Sequence, residues 1–201
     1  NRSRALIYPL MLFLTAETVI QIALPDLHVT WLCVTLLSVL YFTYCNEMWN
    51  QLDALTGLLN QNSYLNRTAE MSRSGGLLIV FDVDNFKQVN DCYGHLQGDA
   101  CLAAIAACLK KAYACCGYCY RIGGDEFCVL LKNTAREAAC AEEFLRQLEK
   151  KRKELTFLPT VSCGSAPLSG EDVVAVKDQA DRAMYHHKKA RKERAAAIVP
   201  E

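Results

Sequence analysis

Two short acidic clusters carry the residue types with the clearest chemistry in this chain. The stretch Arg121–Leu131, RIGGDEFCVLL, places two glycines and two adjacent carboxylates directly before an apolar run. Gly-Gly supplies the positive φ of a tight hairpin turn, so the plainest interpretation makes Asp125 and Glu126 solvated turn residues. The second cluster begins at Asp82, which follows the apolar run 77–81. If the hairpin pairs beside that run, Asp125 comes next to Asp82.

Two carboxylates at one dry edge of a sheet predict a bound cation. They repel each other and have raised pKa values unless a cation lies between them. Hard oxygen ligands of this kind suit Mg²⁺, which takes few protein carboxylates together with waters and substrate phosphates. The second cluster therefore favours a phosphate and metal site over the plain turn.

The hydrophobic pattern predicts the elements that position these carboxylates. Leu77–Phe81 is unbroken and apolar, as expected of a central strand covered on both faces, and Tyr118–Leu131 predicts a hairpin. Thr134 and Glu137 form a capping box that would open a helix. That helix is expected to bury one face, made of Ala138, Ala141, Leu145 and Leu148.

The remaining elements complete the fold class. Leu102, Ile105 and Leu109 follow at helical spacing, Thr160–Gly164 predicts a strand, and a last helix is striped by apolar residues. That stripe consists of Val173, Val176, Ala180 and Ala183. The order strand, helices, hairpin, helix, strand, helix predicts an α+β sandwich with helices against a mainly antiparallel sheet.

Charge and cysteine content narrow the function classes. Lys plus Arg and Asp plus Glu both total 22, so the net charge of zero gives no support to nucleic-acid binding. The 11 cysteines are an odd number, which argues against a fully paired disulfide framework and favours a reducing compartment. Cys116 and Cys119 have CxxC spacing, but no second pair follows, so structural cysteines are favoured over a metal or redox site.

The first part of the chain predicts a transmembrane helical hairpin over residues 1–45, at the end of a longer membrane region. Ala5–Pro25 holds one charge, Glu17, and Leu27–Asn46 holds none, so each approaches the length of a bilayer span, with lipid around residues 5–45. A secretory signal peptide is the alternative for the first segment. Arg2 and Arg4 would place the first end, and hence the domain after two crossings, in the cytoplasm.

Helical spacing of Met48, Leu52, Leu55 and Leu59 predicts a short connecting helix after the second span. The expected organisation is therefore the hairpin at 1–45, the connecting helix at 46–52, a catalytic domain at 53–194 and a tail at 195–201.

Over roughly Asp53–Arg194 the chain resembles the GGDEF-domain diguanylate cyclases. Four blocks stand in the family's order, and four ordered blocks are far more specific than the turn motif alone. They are DALTGLLN (Asp53–Asn60), FDVDNFKQVNDCYGHLQGD (Phe81–Asp99), RIGGDEF (Arg121–Phe127) and ADRAMYHHKK (Ala180–Lys189).

The resemblance implies a fold and a reaction. Such enzymes condense two GTP molecules into cyclic di-GMP with release of pyrophosphate, on a sheet similar to the polymerase palm and the nucleotidyl cyclases. It implies Mg²⁺ or Mn²⁺ as cofactor, a homodimer in operation, and here the inner membrane of a bacterium with the catalytic domain in the cytoplasm.

The resemblance also assigns roles to residues. Asp82, the Val83 carbonyl, Asp125 and Glu126 are implied as metal ligands, and Asp125 or Glu126 would receive the proton of the attacking 3′-hydroxyl; both remain open. Asn90 and Asp99 match guanine-reading positions. The other substrate-binding positions implied are Phe86, Lys87, His95, Lys188 and Lys192.

Departures from the family pattern bear on regulation. Members commonly carry an inhibitory product site written RxxD, and the matching positions here are Ala114 and Gly117, so inhibition through that site should be absent. His187 replaces the usual alanine before Lys188.

A catalytically silent module that senses GTP or cyclic di-GMP is the alternative function. Such relatives usually have a broken GGDEF motif or a retained RxxD.

Overall fold

A computed structural model describes residues 12, 15–16, 18–20, 22–23, 30–49, 51–170 and 172–197. The chain divides into two compact units, Asn1–Asn50 and Gln51–Glu201. Most of the first predicted span, including Glu17, lies outside the described residues.

The first unit contains helix α1, Thr30–Trp49, and the described positions from 12 to 23 are also helical. Nowhere in the described part of the chain is there a helix with both the length and the apolar character needed to cross a membrane. In α1 the hydroxyls of Thr35, Ser38 and Thr43 interrupt the apolar run, and Asn46 and Glu47 follow them. The predicted transmembrane hairpin and its surrounding lipid are therefore not supported, and the prediction of an inner-membrane location is wrong.

The second unit is an α+β domain built around one four-stranded antiparallel sheet, as the pattern predicted. The strands lie in the order β2-β3-β1-β4. In chain order, the elements are α2 (Gln61–Ser74), β1 (Gly76–Val83), α3 (Phe86–Tyr93), α4 (His95–Tyr113), β2 (Gly117–Arg121), β3 (Glu126–Leu131), a 3₁₀ turn (Thr134–Arg136), α5 (Glu137–Glu154), β4 (Val161–Leu168) and α6 (Val173–Ala197).

Strand β1 is the centre of the domain. It pairs with β3 on one side and β4 on the other, and successive side chains enter opposite layers of the core. Ile79 and Phe81 pack with the cluster that contains α4 and α5, whereas Leu78 and Val80 pack with the cluster that contains α2 and α6. Covering on both faces explains why the strand reads as an unbroken apolar run.

Helix α5 corrects two predictions. Thr134 does not open the helix through a capping box, because Asn133 accepts from the Ala135 amide and a 3₁₀ turn precedes α5. The buried side chains of α5 are Cys140, Phe144, Gln147 and Leu148, while the predicted core residue Leu145 is 57% exposed. Phe144 contacts the rings of Phe81 and Tyr113, and burial of this large ring sets the helix rotation.

Candidate active site

The two acidic clusters meet at one end of the sheet. The register pairs Asp82 on β1 with Glu126 on β3, and the Val83 amide donates to the Asp125 carbonyl at 3.2 Å. Directly opposed residues of antiparallel strands place their side chains on the same face. The hairpin therefore brings its acidic turn to the end of β1, and Glu126 is the residue directly opposite Asp82.

Lys188 of helix α6 extends to the same edge. Its ammonium group donates to the Asp82 carboxylate and lies 3.6 Å from Asp84 Oδ1. Burial acts to lower the pKa of Lys188, but the bond and the charges from Asp82 and Asp84 outweigh it and raise the pKa above its usual value. Lys188 is therefore a fixed positive charge at this edge.

Asp84 is a site residue that the sequence reasoning missed. The residue is only 7% exposed, and its two oxygens accept hydrogen bonds from Thr160 Oγ1 at 2.7 Å and Ser162 Oγ at 2.8 Å. These bonds tie the end of β1 to β4 and hold the second carboxylate beside Lys188. The signal was present in the spacing, because Asp82 and Asp84 are two residues apart at the end of a strand.

The donor chemistry at this edge fits a divalent cation. Asp82 and Glu126 supply carboxylate oxygens and Val83 a backbone carbonyl, the hard ligands that Mg²⁺ prefers. The Lys188 ammonium already places a cation on the Asp82 carboxylate. No three His, Cys, Asp or Glu side chains converge on a common metal position within the described ranges. Such an ion would therefore share Asp82 with Lys188 or displace it.

Arg121 holds the turn of the hairpin in place. Its Nη2 donates to the Gly124 carbonyl at 2.8 Å, and its Nη1 lies 3.1 Å from Asp53 Oδ1. Asp53 also accepts from the amide and the hydroxyl of Thr56, at 2.9 and 2.6 Å. One guanidinium group thus links the first block of the domain to the acidic turn.

Asp53→Asn is expected to lower the free energy of unfolding by about 1–2 kcal/mol at neutral pH. Burial acts to raise the pKa of Asp53, but the bonds from Thr56 and the bond and charge of Arg121 lower it overall. A depressed aspartate pKa contributes stability above the unfolded pKa and loses it as the pH falls through the folded pKa. Urea unfolding of both proteins should therefore show the difference at pH 7, a decrease that begins near pH 4, and its disappearance only below the depressed folded pKa.

Glu154→Gln is the matched control for Asp53→Asn. Its carboxylate also pairs with a basic side chain, that of Lys151, but both side chains are exposed at the end of α5. Solvent screening leaves such pairs little effect on stability, so we expect no measurable change. A pH-independent loss in Asp53→Asn would contradict the role of its charge.

Asn90 offers an unused polar atom. Its Oδ1 is buried and has no hydrogen-bond partner among the described residues, although buried amide oxygens are generally bonded. Asn90 lies on α3, which begins after Asn85 at φ 54°, a left-handed conformation. The facing residue on α4 is Gly98, where a methyl group would lie 1.9 Å from Asn90 Oδ1.

The other predicted substrate residues fall into three groups. His95 and Asp99 are exposed and one turn apart at the start of α4, next to Gly98 and hence near Asn90. Phe86 packs partly against the core, and Lys87 is exposed in the first turn of α3. The side chain of Lys192 lies outside the described part of the structure. The roles of these residues stay predictions.

Gly98→Ala tests the GTP-binding role that the sequence resemblance implies for Asn90. If GTP binds there, its KM is expected to rise about tenfold or more, because the new methyl group must displace the Asn90 side chain. Asn90 ends in a flexible amide, so the domain should still fold. The effect should largely vanish in an Asn90→Ala background, where the clash partner is missing, which is the signature of a coupled pair. Steady-state kinetics of the two single variants and the double variant would measure this; additive effects would contradict it.

The fold and the site define a class of protein: a palm-like α+β domain with an acidic sheet edge and flanking helices. The sequence model of the family described as "Diguanylate cyclase, GGDEF domain" matches residues 50–194. The chain belongs to this GGDEF-domain family.

Curated relatives agree with that assignment. The chain is 38% identical over 160 residues to diguanylate cyclase DgcP of Pseudomonas aeruginosa, covering 71% of this chain and 23% of the relative. It is 33% identical over 150 residues to diguanylate cyclase DgcS of Shewanella oneidensis, covering 71% and 51%. It is also 34% identical over 165 residues to cyclic di-GMP phosphodiesterase PdeR of Escherichia coli, covering 74% and 24%. The chain thus spans between about a quarter and a half of the length of these relatives.

Solved structures share the fold. The coiled coil and GGDEF domain of DgcB from Caulobacter crescentus, in complex with c-di-GMP, superposes with a TM-score of 0.65 at 25% identity, covering 79% of this chain and 93% of that one. A microbial GGDEF domain described with cyclic di-GMP gives a TM-score of 0.56 at 29% identity, covering 70% and 94%.

Proposed function

We propose that this chain is a diguanylate cyclase that condenses two GTP molecules into cyclic di-GMP with release of pyrophosphate. The observation that carries the proposal is the meeting of Asp82, Glu126 and Lys188 at one sheet edge. Two carboxylates and one ammonium group there can hold a divalent cation and a phosphate together. The names of DgcP and DgcS support the same reaction.

Mg²⁺ or Mn²⁺ is the proposed cofactor, held by Asp82, the Val83 carbonyl, Asp125 and Glu126. Held by these residues, the ion would supply Lewis-acid chemistry: it would polarise the α-phosphate and lower the pKa of the attacking 3′-hydroxyl. Asp125 or Glu126 accepts the proton of that hydroxyl, and the turn carrying both is fixed by Arg121. Lys188, next to Asp82, supplies a positive charge for the phosphates, and Lys192 is proposed to do the same.

Asn90 and Asp99 are proposed to recognise the guanine base. The unpartnered Oδ1 of Asn90 can accept a hydrogen bond from the base, and a carboxylate can accept from the N1 and N2 donors of guanine. His95 on α4, together with Phe86 and Lys87 on α3, is proposed to complete this binding site. Selection of GTP over ATP would follow, because adenine cannot offer the same donors.

A homodimer is the proposed working form. One site binds one GTP, and the reaction joins two, so two domains must face each other. The rate per chain is therefore expected to rise with protein concentration. Product inhibition through an RxxD site is proposed to be absent, since Ala114 and Gly117 stand at the matching positions.

The test is to incubate the full chain with GTP and Mg²⁺ or Mn²⁺ and to identify the product by chromatography and mass spectrometry. Cyclic di-GMP, formed at a rate per chain that grows with protein concentration, is the expected result. Asp125→Ala should abolish turnover without unfolding the domain. Glu149→Ala, an exposed change on α5, is the control that should keep full activity.

The alternative is a catalytically silent module that binds GTP or cyclic di-GMP. The match to PdeR, named for a different activity, favours testing it. Absence of product at high protein concentration, together with saturable nucleotide binding by calorimetry, would replace the cyclase proposal with this one.

A further inference from the structure

Two thiols outside the site described above lie in direct contact. Cys116, in the turn between α4 and β2, has its Sγ 2.9 Å from the Sγ of Cys140 on the first turns of α5. Both are free cysteines. The CxxC partner Cys119 points elsewhere and donates to the Leu109 carbonyl. The pair that the fold forms is therefore one that the CxxC spacing did not indicate.

The two cysteines differ in access. Cys116 is half-buried and lines a surface cavity of about 380 Å³ together with Cys115, Tyr118, Lys132 and Arg136. Cys140 is 4% exposed and lies behind it in the core. A small reagent can thus reach Cys116 from the cavity, while Cys140 is placed to react with the sulfur of Cys116.

We propose that Cys116 and Cys140 form a reversible dithiol–disulfide pair that is oxidised by low-molecular-weight disulfides. The Cys116 thiolate attacks a disulfide RSSR, forming the mixed disulfide Cys116–S–S–R and releasing one RSH. The Cys140 thiolate then attacks the Cys116 sulfur, which closes the protein disulfide and releases the second RSH. The protein loses two electrons and two protons, and RSSR gains both.

The geometry supports the second step. A disulfide bond is about 2.05 Å long, so the two sulfur atoms need to approach by about 0.9 Å from their present contact. The first step is slow at neutral pH, because burial and the sulfur contacts with Cys140 and Cys115 raise the pKa of Cys116 to about 12. Closure by a sulfur already in contact is intramolecular and fast, so the mixed disulfide should not accumulate.

The disulfide would stabilise the base of the β2–β3 hairpin. It would tie the start of β2 to α5, at the end of the hairpin opposite the acidic turn. Closing a loop from Cys116 to Cys140 restricts the unfolded chain. The oxidised protein is therefore expected to melt about 5–10 °C higher than the reduced one.

The full chain is treated with millimolar oxidised glutathione at mildly alkaline pH, alkylated, and digested with trypsin without reduction. Cleavage after Lys111, Arg121, Arg136 and Arg146 should yield peptide Ala112–Arg121 linked to peptide Glu137–Arg146. Fragmentation between Cys115 and Cys116, and again between Cys116 and Cys119, should assign the bridge to Cys116. Reduction with dithiothreitol should restore both free thiols and the lower melting temperature.

Variants separate this bridge from general thiol oxidation. Cys140→Ala and Cys116→Ser should both lose the linked peptides and the rise in melting temperature, whereas Cys115→Ser and Cys92→Ser, at exposed positions, should keep them. A stable glutathione adduct on Cys116, or a link from Cys116 to Cys115 or Cys119, would overturn the proposal. Since the native chain alone gives the linked peptides, failure of a variant to fold does not prevent the test.

Discussion

Asp82→Asn is expected to lower turnover in the proposed cyclase reaction at least ~10³-fold while the domain stays folded. Asp82 accepts from Lys188 and lies opposite Glu126, so its carboxylate is the shared anion of the proposed metal site. A neutral amide binds a divalent cation much more weakly than a carboxylate. Such an ion supplies several kcal/mol of transition-state stabilisation, and each 1.4 kcal/mol lost lowers the rate about tenfold.

Two measurements distinguish this loss from unfolding. Binding of Mn²⁺, followed without nucleotide by electron paramagnetic resonance, should fall in Asp82→Asn, and the melting temperature should change little. Asp178→Asn makes the same chemical change at an exposed position of α6 and should leave metal binding and turnover unaltered. Full turnover in Asp82→Asn would remove this residue from the proposed metal site.

The central part of the fold could be predicted because local pattern and tertiary environment agree there. Leu77–Phe81 is apolar throughout because β1 is covered on both faces, and the predicted hairpin is formed by β2 and β3. The predicted turn geometry is wrong, because neither Gly123 nor Gly124 has a positive φ. Pairing of β2 with β3 follows from the short hairpin connection. The meeting of the acidic clusters depends instead on the pairing of β1 with β3, two strands separated along the chain by α3, α4 and β2, and the sequence prediction took that pairing as a condition.

Contacts between distant segments could not be predicted in the same way. The hydrogen bonds of Asp84 to Thr160 and Ser162, and the approach of Lys188 to Asp82, depend on how β4 and α6 pack against β1. Helix α5 shows the same difficulty, because two apolar stripes overlap on it. The stripe that contains Phe144 is the buried one, because the Phe144 ring contacts the rings of Phe81 and Tyr113.

In the first unit, the prediction of a membrane span rested on counting uncharged residues. The absence of charge between residues 27 and 46 made a membrane span attractive. However, a segment without charges is not necessarily apolar enough to span a membrane. Transferring hydroxyl and amide side chains into hydrocarbon also costs free energy. In α1 the hydroxyls of Thr35 and Ser38 bond to carbonyls one turn earlier, which lowers that cost but does not make the helix apolar.

Gly164→Ala is expected to have the largest effect on stability. Gly164 lies on β4 where α6 crosses it, and a methyl group there would lie 2.2 Å from the Met184 amide nitrogen and 2.3 Å from the Ala180 carbonyl oxygen. Both neighbours are helix backbone, so no side chain can turn aside and α6 must move off the sheet. We expect a loss of about 3 kcal/mol or more and a fall in melting temperature of about 6–12 °C.

The displacement of α6 should also reduce turnover, because Lys188 is one turn beyond Met184 on the same helix. Gly124→Ala is the matched control for stability: a methyl group there meets nothing within 4 Å, so its melting temperature should stay close to that of the parent chain. Equal melting temperatures for the two variants would mean that α6 does not need direct backbone contact with β4. In that case the position of Lys188 beside Asp82 would have to be fixed by the ion pairs with Asp82 and Asp84 rather than by helix packing.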